Sequence, residues 1–482
     1  MAGVSGIGSG IDIDSIVASM VAAERAPKES QLATLEKKTT TQITAVGALK
    51  GAISDFQTAL GALNKPDLFQ ARSATSSKSD LVGVTASTTA GAGSYQLEVK
   101  SLASSSKVAL AAIPNTAEAP ARFTSGTFEV SLGVPGIPPA PNTKESFSVT
   151  IDENNNTLAD VRDAINTAGK DMGVSATIVT DEYGSRLVLS SSKTGAGRDI
   201  TVIATGADEP GLIGLSALNF DGTSGTGKDA RVLTSAQSAE LYVDGLKVIS
   251  ETNKVDGAIE GVTLDLKAKT VANEPLTIAV AEDKAGVKKQ IQTFVDSYNK
   301  LIGVINAQTK VTSVGEGKAP VTGALVGDAT ARTLLNTIRN ELVNVQGDGA
   351  LRALTDIGIT TQKDGTLAID SAKLDKAMAG NFGELSGLFT GDMGLASRLD
   401  AKLKPYTETG GILEQRNKAM TETITKIDDQ KEALTRRITS LQERLYKQFN
   451  AMDLLVGQLS NTSSSLLASL ENLPWAASNS KK

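Results

Sequence analysis

The octapeptide GTSGTGKD, Gly222 to Asp229, satisfies the first seven positions of a phosphate-binding loop, G-x-x-x-x-G-K-[S/T]. In such a loop backbone N–H groups cradle the phosphates, the lysine reaches the terminal ones, and a hydroxyl at position eight holds magnesium. Here position eight is Asp229, which sets a carboxylate where the phosphates would lie, and the following ARVLTSAQSAELYV does not read as the required helix. A flexible Gly and Ser connection is the plainer account; nucleotide binding abolished by Lys228→Ala would be needed to revive an enzyme. A second candidate is DENNNTLADVRD, with Asp152, Asn154 and Asn156 at positions one, three and five of a calcium loop. It has Thr157 where that loop needs glycine and Asp163 where it needs a bidentate glutamate, so a polar turn entering a capped helix fits better. GVSGIGSG near the start has no strand before it to make a dinucleotide fingerprint.

Other chemistries fall with composition. The 482 residues contain no Cys, no His and one Trp, Trp475. Cysteine and histidine zinc sites, thiol nucleophiles, imidazole shuttles and disulfides are thereby excluded. None of the many acidic residues can be singled out as an acid and base pair, so no catalytic, metal or cofactor residue is expected. A net charge of -6 with 4% aromatics offers nucleic acid neither a cationic surface nor a stacking platform. No apolar run reaches the roughly 18 to 20 residues that span a bilayer, so no membrane insertion is expected. IGSGIDIDSIVASMVAAERAP, from Ile7, has no basic residue before Arg25 and so lacks the charged leader of a secretory signal; it is expected to stay on the mature chain.

The elements that could position anything are long helices at both ends and β structure between. Leu32, Leu35, Thr39, Gln42, Val46, Leu49, Ile53, Phe56, Leu60 and Leu63 repeat at 3.5-residue spacing, and eight of the ten are apolar. Near the other end the same spacing links Leu413, Asn417, Met420, Ile424, Ile427, Lys431, Leu434, Ile438, Leu441, Leu445, Gln448, Met452, Leu455 and Leu459, eleven of fourteen apolar. Such seams are what coiled coils require. They can pair with each other or with other subunits, and either route makes the termini one structural unit.

From about Ser79 to Val280 the texture is short alternating strands with Gly, Asn and Asp turns, interrupted by one helix, TLADVRDAINTAG, with capping-box spacing at Thr157 and Asp160. GVPGIPPAPNTK reads as an exposed loop. Helical spacing returns in KKQIQTFVDSYNKLIGVINAQ and DATARTLLNTIRNELVNV, and IGITTQKDGTLAID predicts a hairpin turning at Asp364 and Gly365. The fold class is therefore multidomain α+β, with coiled-coil terminal segments and a helix-rich domain enclosing a β-rich, nested two-domain insertion. The expected domains are 1–45 with 406–482, a coiled-coil leg; 46–78 with 281–405, helix-rich; 79–106 with 235–280, a β-rich head; and 107–234, an outer β-rich head.

GIGSGIDIDSIVASMVAAERAP resembles the amino terminus of the flagellar hook-associated protein 2 family, the filament cap. Further similarities follow in order: GSYQLEVKSLASSSKVAL, AELYVDGLKVISETNKVDGAIEGVTLDLKA, GALVGDATARTLLNTIRNEL, LTDIGITTQKDGTLAIDSAKL and LFTGDMGLASRLDAKLKPYTETGGIL. Residues 145–203 resemble the IN motif of some flagellins and hook-associated proteins. The resemblance implies a secreted protein exported by the flagellar type III apparatus to the distal filament tip. It implies a homo-oligomeric ring, a pentamer or hexamer, with partners in flagellin, the hook-filament junction proteins and an export chaperone on the carboxy-terminal coil. Exported flagellin would be folded and inserted beneath that ring without covalent chemistry. The alternative from another class is a surface adhesin whose β-rich head binds host mucin or glycan.

Overall fold

The computed structural model describes residues 10, 12–116, 119–133, 145–315, 317–344 and 350–471. Helices α1 (Ile13–Leu63) and α2 (Pro66–Gln70) precede strands β1 (Arg72–Ser76), β2 (Val82–Ala86), β3 (Gly93–Ser101), β4 (Ser105–Ala109), β5 (Gly126–Leu132) and β6 (Glu145–Ile151). Helix α3 (Leu158–Ala168) leads to β7 (Val174–Asp181), β8 (Gly184–Thr194), β9 (Ile200–Gly206), β10 (Arg231–Thr234) and β11 (Ala239–Val243). Strands β12 (Leu246–Ser250), β13 (Lys254–Ile259), β14 (Val262–Leu266) and β15 (Leu276–Glu282) complete that region. Helix then returns as α4 (Lys284–Thr309), the small hairpin β16 (Val311–Thr312) and β17 (Val321–Thr322), and α5 (Ala329–Val343). A second hairpin, β18 (Ile359–Thr361) and β19 (Leu367–Ile369), precedes α6 (Ser371–Gly380), α7 (Phe382–Phe389), α8 (Leu395–Thr407) and α9 (Ile412–Glu471). The chain divides into two compact units, Met1–Phe69 with Lys284–Lys482, and Gln70–Asp283.

In the first unit, α1 starts where the Asp12 side chain accepts from the Ser15 N–H at 3.0 Å and stops at Leu63, just before Pro66. The boundary expected at 45/46 falls inside this one continuous helix. Its later turns do not form a free seam. Val46, Leu49, Ile53, Phe56, Leu60 and Leu63 are buried in a core shared with Phe294, Tyr298 and Ile302 of α4 and Leu399 and Leu403 of α8. Phe56 meets Phe294 at 5.6 Å and Tyr298 edge-on at 5.8 Å between ring centroids. The β18–β19 hairpin turns at Asp364 and Gly365, where Gly365 adopts φ +87°. It is tied to α4 by Asn299, whose side chain accepts from the Leu367 N–H at 2.7 Å and donates to its carbonyl at 2.8 Å.

The second unit holds two β assemblies. A five-stranded antiparallel sheet, ordered β1-β15-β3-β11-β12, and a three-stranded sheet, β13-β14-β2, share a core that includes Leu97, Val99, Leu241, Leu264 and Ile278. Strand structure begins at Arg72, before the expected Ser79, because β1 pairs with β15 from Arg72↔Glu282 to Ser76↔Ile278. RSATS carries no large apolar residue, so alternation could not reveal it. The other assembly has sheets β10-β4-β8-β7 and β6-β5-β9, with α3 packed on β6 and β7. Phe128, Val130, Leu158, Val161, Ile165, Leu187 and Leu189 lie in its core. At the start of α3 the Asp160 N–H donates to Thr157 Oγ1 at 3.2 Å and the Thr157 N–H to Asp160 Oδ2 at 3.0 Å, the capping box that the spacing predicts. The proline-rich 134–144, most of GVSGIGSG and Trp475 lie outside the described residues.

Candidate functional site

The two long terminal helices are antiparallel partners. Ile13 and Val17 of α1 are buried with Leu445 and packed by Leu441, Tyr446 and Phe449 of α9. Farther along, Arg437 pairs with Glu24, Lys431 with Glu36 at 2.6 Å, and Lys50 with Glu414 at 3.4 Å. Numbers rising on one helix thus meet numbers falling on the other within one chain. Leu32 of α1 and Leu413, Ile427, Ile438 and Leu445 of α9 are buried, while Met420, Ile424, Leu434 and Leu441 are half-buried. Leu35, 43% exposed, leaves the seam that its spacing assigned it to. From Ala22 to Gln31 no α1 residue is buried, and Pro27 sits inside that stretch without an N–H to give the preceding turn.

Two of the polar seam positions are handled differently. The hydrogen bond from Lys431 to Glu36 raises the lysine's pKa, so the charge is paired rather than left in an apolar seam. Asn417 keeps a buried side-chain oxygen without a hydrogen-bond partner among the described residues. Gln448 is exposed. The sequence reading began the first seam at Leu32 and so missed Ile13 and Val17, although their i, i+4 spacing, continued by Val21, was a usable signal.

Beyond Leu445 the seam continues without a partner among the described residues. Met452, Leu455 (59% exposed) and Leu459 (63%) face solvent, as do Leu454, Leu466, Leu467 and Leu470. Between Asp453 and Glu471 the helix carries no charged residue. Such a surface gains free energy when another apolar surface covers it.

The loop resembling a phosphate site has the opposite polarity. The carbonyls of Gly227, Lys228 and Asp229 all accept from the buried Arg186 guanidinium, while the Gly225 and Asp229 N–H groups are spent on the Ala230 and Thr226 carbonyls. A phosphate loop must offer N–H groups. At the calcium-like segment, Asp152 Oδ1 accepts from the Asn154 N–H at 2.8 Å and Asn155 Oδ1 from the Asp152 N–H, an ordinary polar turn into the capped α3. Among the described residues no group of three or more acidic side chains is placed to hold a metal, and no helix is long and apolar enough to cross a membrane.

Comparison with known families decides what kind of protein carries this helix pair. The model described as Flagellar hook-associated protein 2 N-terminus matches residues 9–106, and Flagellar hook-associated protein 2 C-terminus matches 236–461. The chain belongs to the flagellar hook-associated protein 2 family. A third model, the Flagellin hook IN motif, matches 141–193, slightly earlier than the 145–203 read from sequence. The B-type flagellar hook-associated protein 2 of Pseudomonas aeruginosa is 48% identical over 99% of both chains, and the A-type protein is 46% identical over 98% of both. Among solved structures, the flagellar cap protein FliD D1-D2-D3 domains from Escherichia coli match at 28% identity with a TM-score of 0.60, covering 78% of this chain and 99% of that one. Family membership thus joins a multidomain α+β fold with long helices at both ends to a place in the flagellum.

Proposed function

We propose that this chain forms the cap at the distal end of the bacterial flagellar filament, where it promotes folding and insertion of exported flagellin and prevents its leakage. The observation that carries the reading is the pairing of α1 with α9, continued by an apolar α9 face that nothing in the described chain covers, in a member of this family. The segments 1–45 and 406–482, to which most of the paired helices α1 and α9 belongs, act as the leg that meets the growing filament. The helical core, expected from 46–78 with 281–405 and found here mainly within 46–69 and 284–405, carries the leg, and the β-rich parts within 70–283 form the outward plate. Copies assemble as a closed ring through heterologous contacts, a pentamer or hexamer, with flagellin, the hook-filament junction proteins and an export chaperone on the carboxy-terminal helix as partners. The role is structural and routes no covalent step through any residue. Nothing in the comparisons favours the adhesin reading of the head, and it is set aside.

Deleting the gene and assaying the culture medium for secreted, unpolymerised flagellin tests the cap role directly. Free flagellin should accumulate while filaments disappear, and restoring the gene should reverse both. Normal filaments in the deletion strain would sink the proposal.

A further inference from the structure

The segment from Gly222 to Ala230 reads in sequence as a loose connection, with three glycines and no large apolar side chain. Free, such a segment has a high conformational entropy to lose on folding. Its sheet pairing offers little to offset that loss. Strand β10, which follows it, pairs with β4 only at Arg231, Val232 and Thr234, with a register break between the last two.

Most of the segment's hydrogen bonds to distant parts of the chain come from one side chain. Arg186, in β8, has 2% of its side chain exposed. Its Nε donates to Asp181 Oδ2 at 2.6 Å. Nη1 donates to the carbonyls of Leu110 at 3.1 Å, Asp229 at 2.8 Å and Lys228 at 3.3 Å, and Nη2 donates to the Gly227 carbonyl. The Lys228 carbonyl also accepts from the Ala112 N–H at 2.8 Å. The guanidinium therefore joins the β7–β8 hairpin, the chain just after β4, and three consecutive peptide units of the loop.

Gly227 adopts φ +60°, and a Cβ built on Gly225 would lie 2.3 Å from Asp229 Cβ, so both glycines suit the tight course that aims these carbonyls inward. A buried charge is tolerated only when paired and hydrogen-bonded, and here one carboxylate and four carbonyls do both. The planar fork of five N–H donors is what allows one residue to reach them; a lysine ammonium is a point charge and cannot span the set.

We propose that Arg186 is the staple that closes the Gly222–Ala230 loop as a strap over the outer β assembly, so that the loop's order rests on that guanidinium rather than on strand pairing. The strap contains an exposed trypsin site, Lys228, whose own carbonyl is one of the stapled groups.

The test uses the full-length chain and reads cleavage after Lys228 by mass spectrometry, together with hydrogen exchange at the Gly225 and Asp229 amides. In the unaltered protein both amides should be protected like the β8 core. Arg186→Lys and Arg186→Met should each raise cleavage and exchange by about tenfold or more, whereas Thr226→Ala, an exposed position on the same loop, should change neither. Unchanged cleavage in Arg186→Met would mean that packing or β10 holds the loop, and wild-type behaviour in Arg186→Lys would mean that charge alone suffices; either overturns the staple. Should the Arg186 variants fail to fold, the unaltered protein decides: protected amides support the strap, and exchange at unstructured-loop rates refutes it.

Discussion

The Tyr298 hydroxyl donates to the Gly365 carbonyl at 2.8 Å from inside the helical core. Burial, with a lesser push from the Asp364 charge and against a pull from Arg339, raises its pKa to about 12. An unfolded tyrosine ionises near pH 10, so the unfolded chain loses this proton first as the solution becomes alkaline. The stabilisation is complete below about pH 10 and is lost as the pH rises toward 12. Tyr298→Phe should cost about 1 kcal/mol at neutral pH by removing the hydroxyl that donates to the Gly365 carbonyl, and should flatten the fall in stability above about pH 10, read by denaturant melts at several pH values. A variant whose alkaline limb matched the unaltered protein would place the steep step on another group.

At the scale of elements, one periodic pattern has two fates along the same pair of helices. Leu49 is buried among α4 and α8 residues, and Leu455 is a seam position of the same kind with no partner in the described chain. Leu49→Ala should therefore cost about 2 to 5 kcal/mol in chemical unfolding of the isolated protein. Leu455→Ala should change that stability by no more than about 0.5 kcal/mol, because nothing is unpacked. On the proposed role of the leg, its effect should appear instead in motility and filament length. Loss of monomer stability in Leu455→Ala would show that the chain itself covers this face. The 3.5-residue spacing marks an apolar face on both helices, but burial depends on what lies opposite, and among the described residues the apolar positions of α1 packed against α9 begin at Ile13.

For the whole molecule, the discontinuous division has a physical consequence. The β unit spans Gln70–Asp283, and its first and last strands pair directly, Arg72 opposite Glu282. Its ends are therefore held side by side, and among the described residues its two cores are made from within that range. Residues 70–283 expressed alone should fold cooperatively, giving a β-rich circular dichroism spectrum and a single or stepwise sharp thermal transition. A molten, gradually melting product would mean that the helical unit is required for its packing. The helical unit, in contrast, is built from two separated segments, so its core cannot be completed until Lys284 onward has been synthesised.

Local patterns were enough for much of this. The absence of Cys and His ruled out whole classes of chemistry; the apolar spacing of Leu32 to Leu63 and Leu413 to Leu459 specified long terminal helices; and Thr157 with Asp160 marked the start of α3, because caps and periodicity are interactions within a few residues. Other features depended on residues far apart in sequence. Strand β1 is a strand because β15 lies beside it, Val46 to Leu63 are bundle core because α4 and α8 surround them, and the glycine loop is ordered because Arg186, about forty residues earlier, reaches its carbonyls. Periodicity states which face of a helix is apolar; only the tertiary structure states what that face meets, since burial is a property of two surfaces and a sequence pattern describes one.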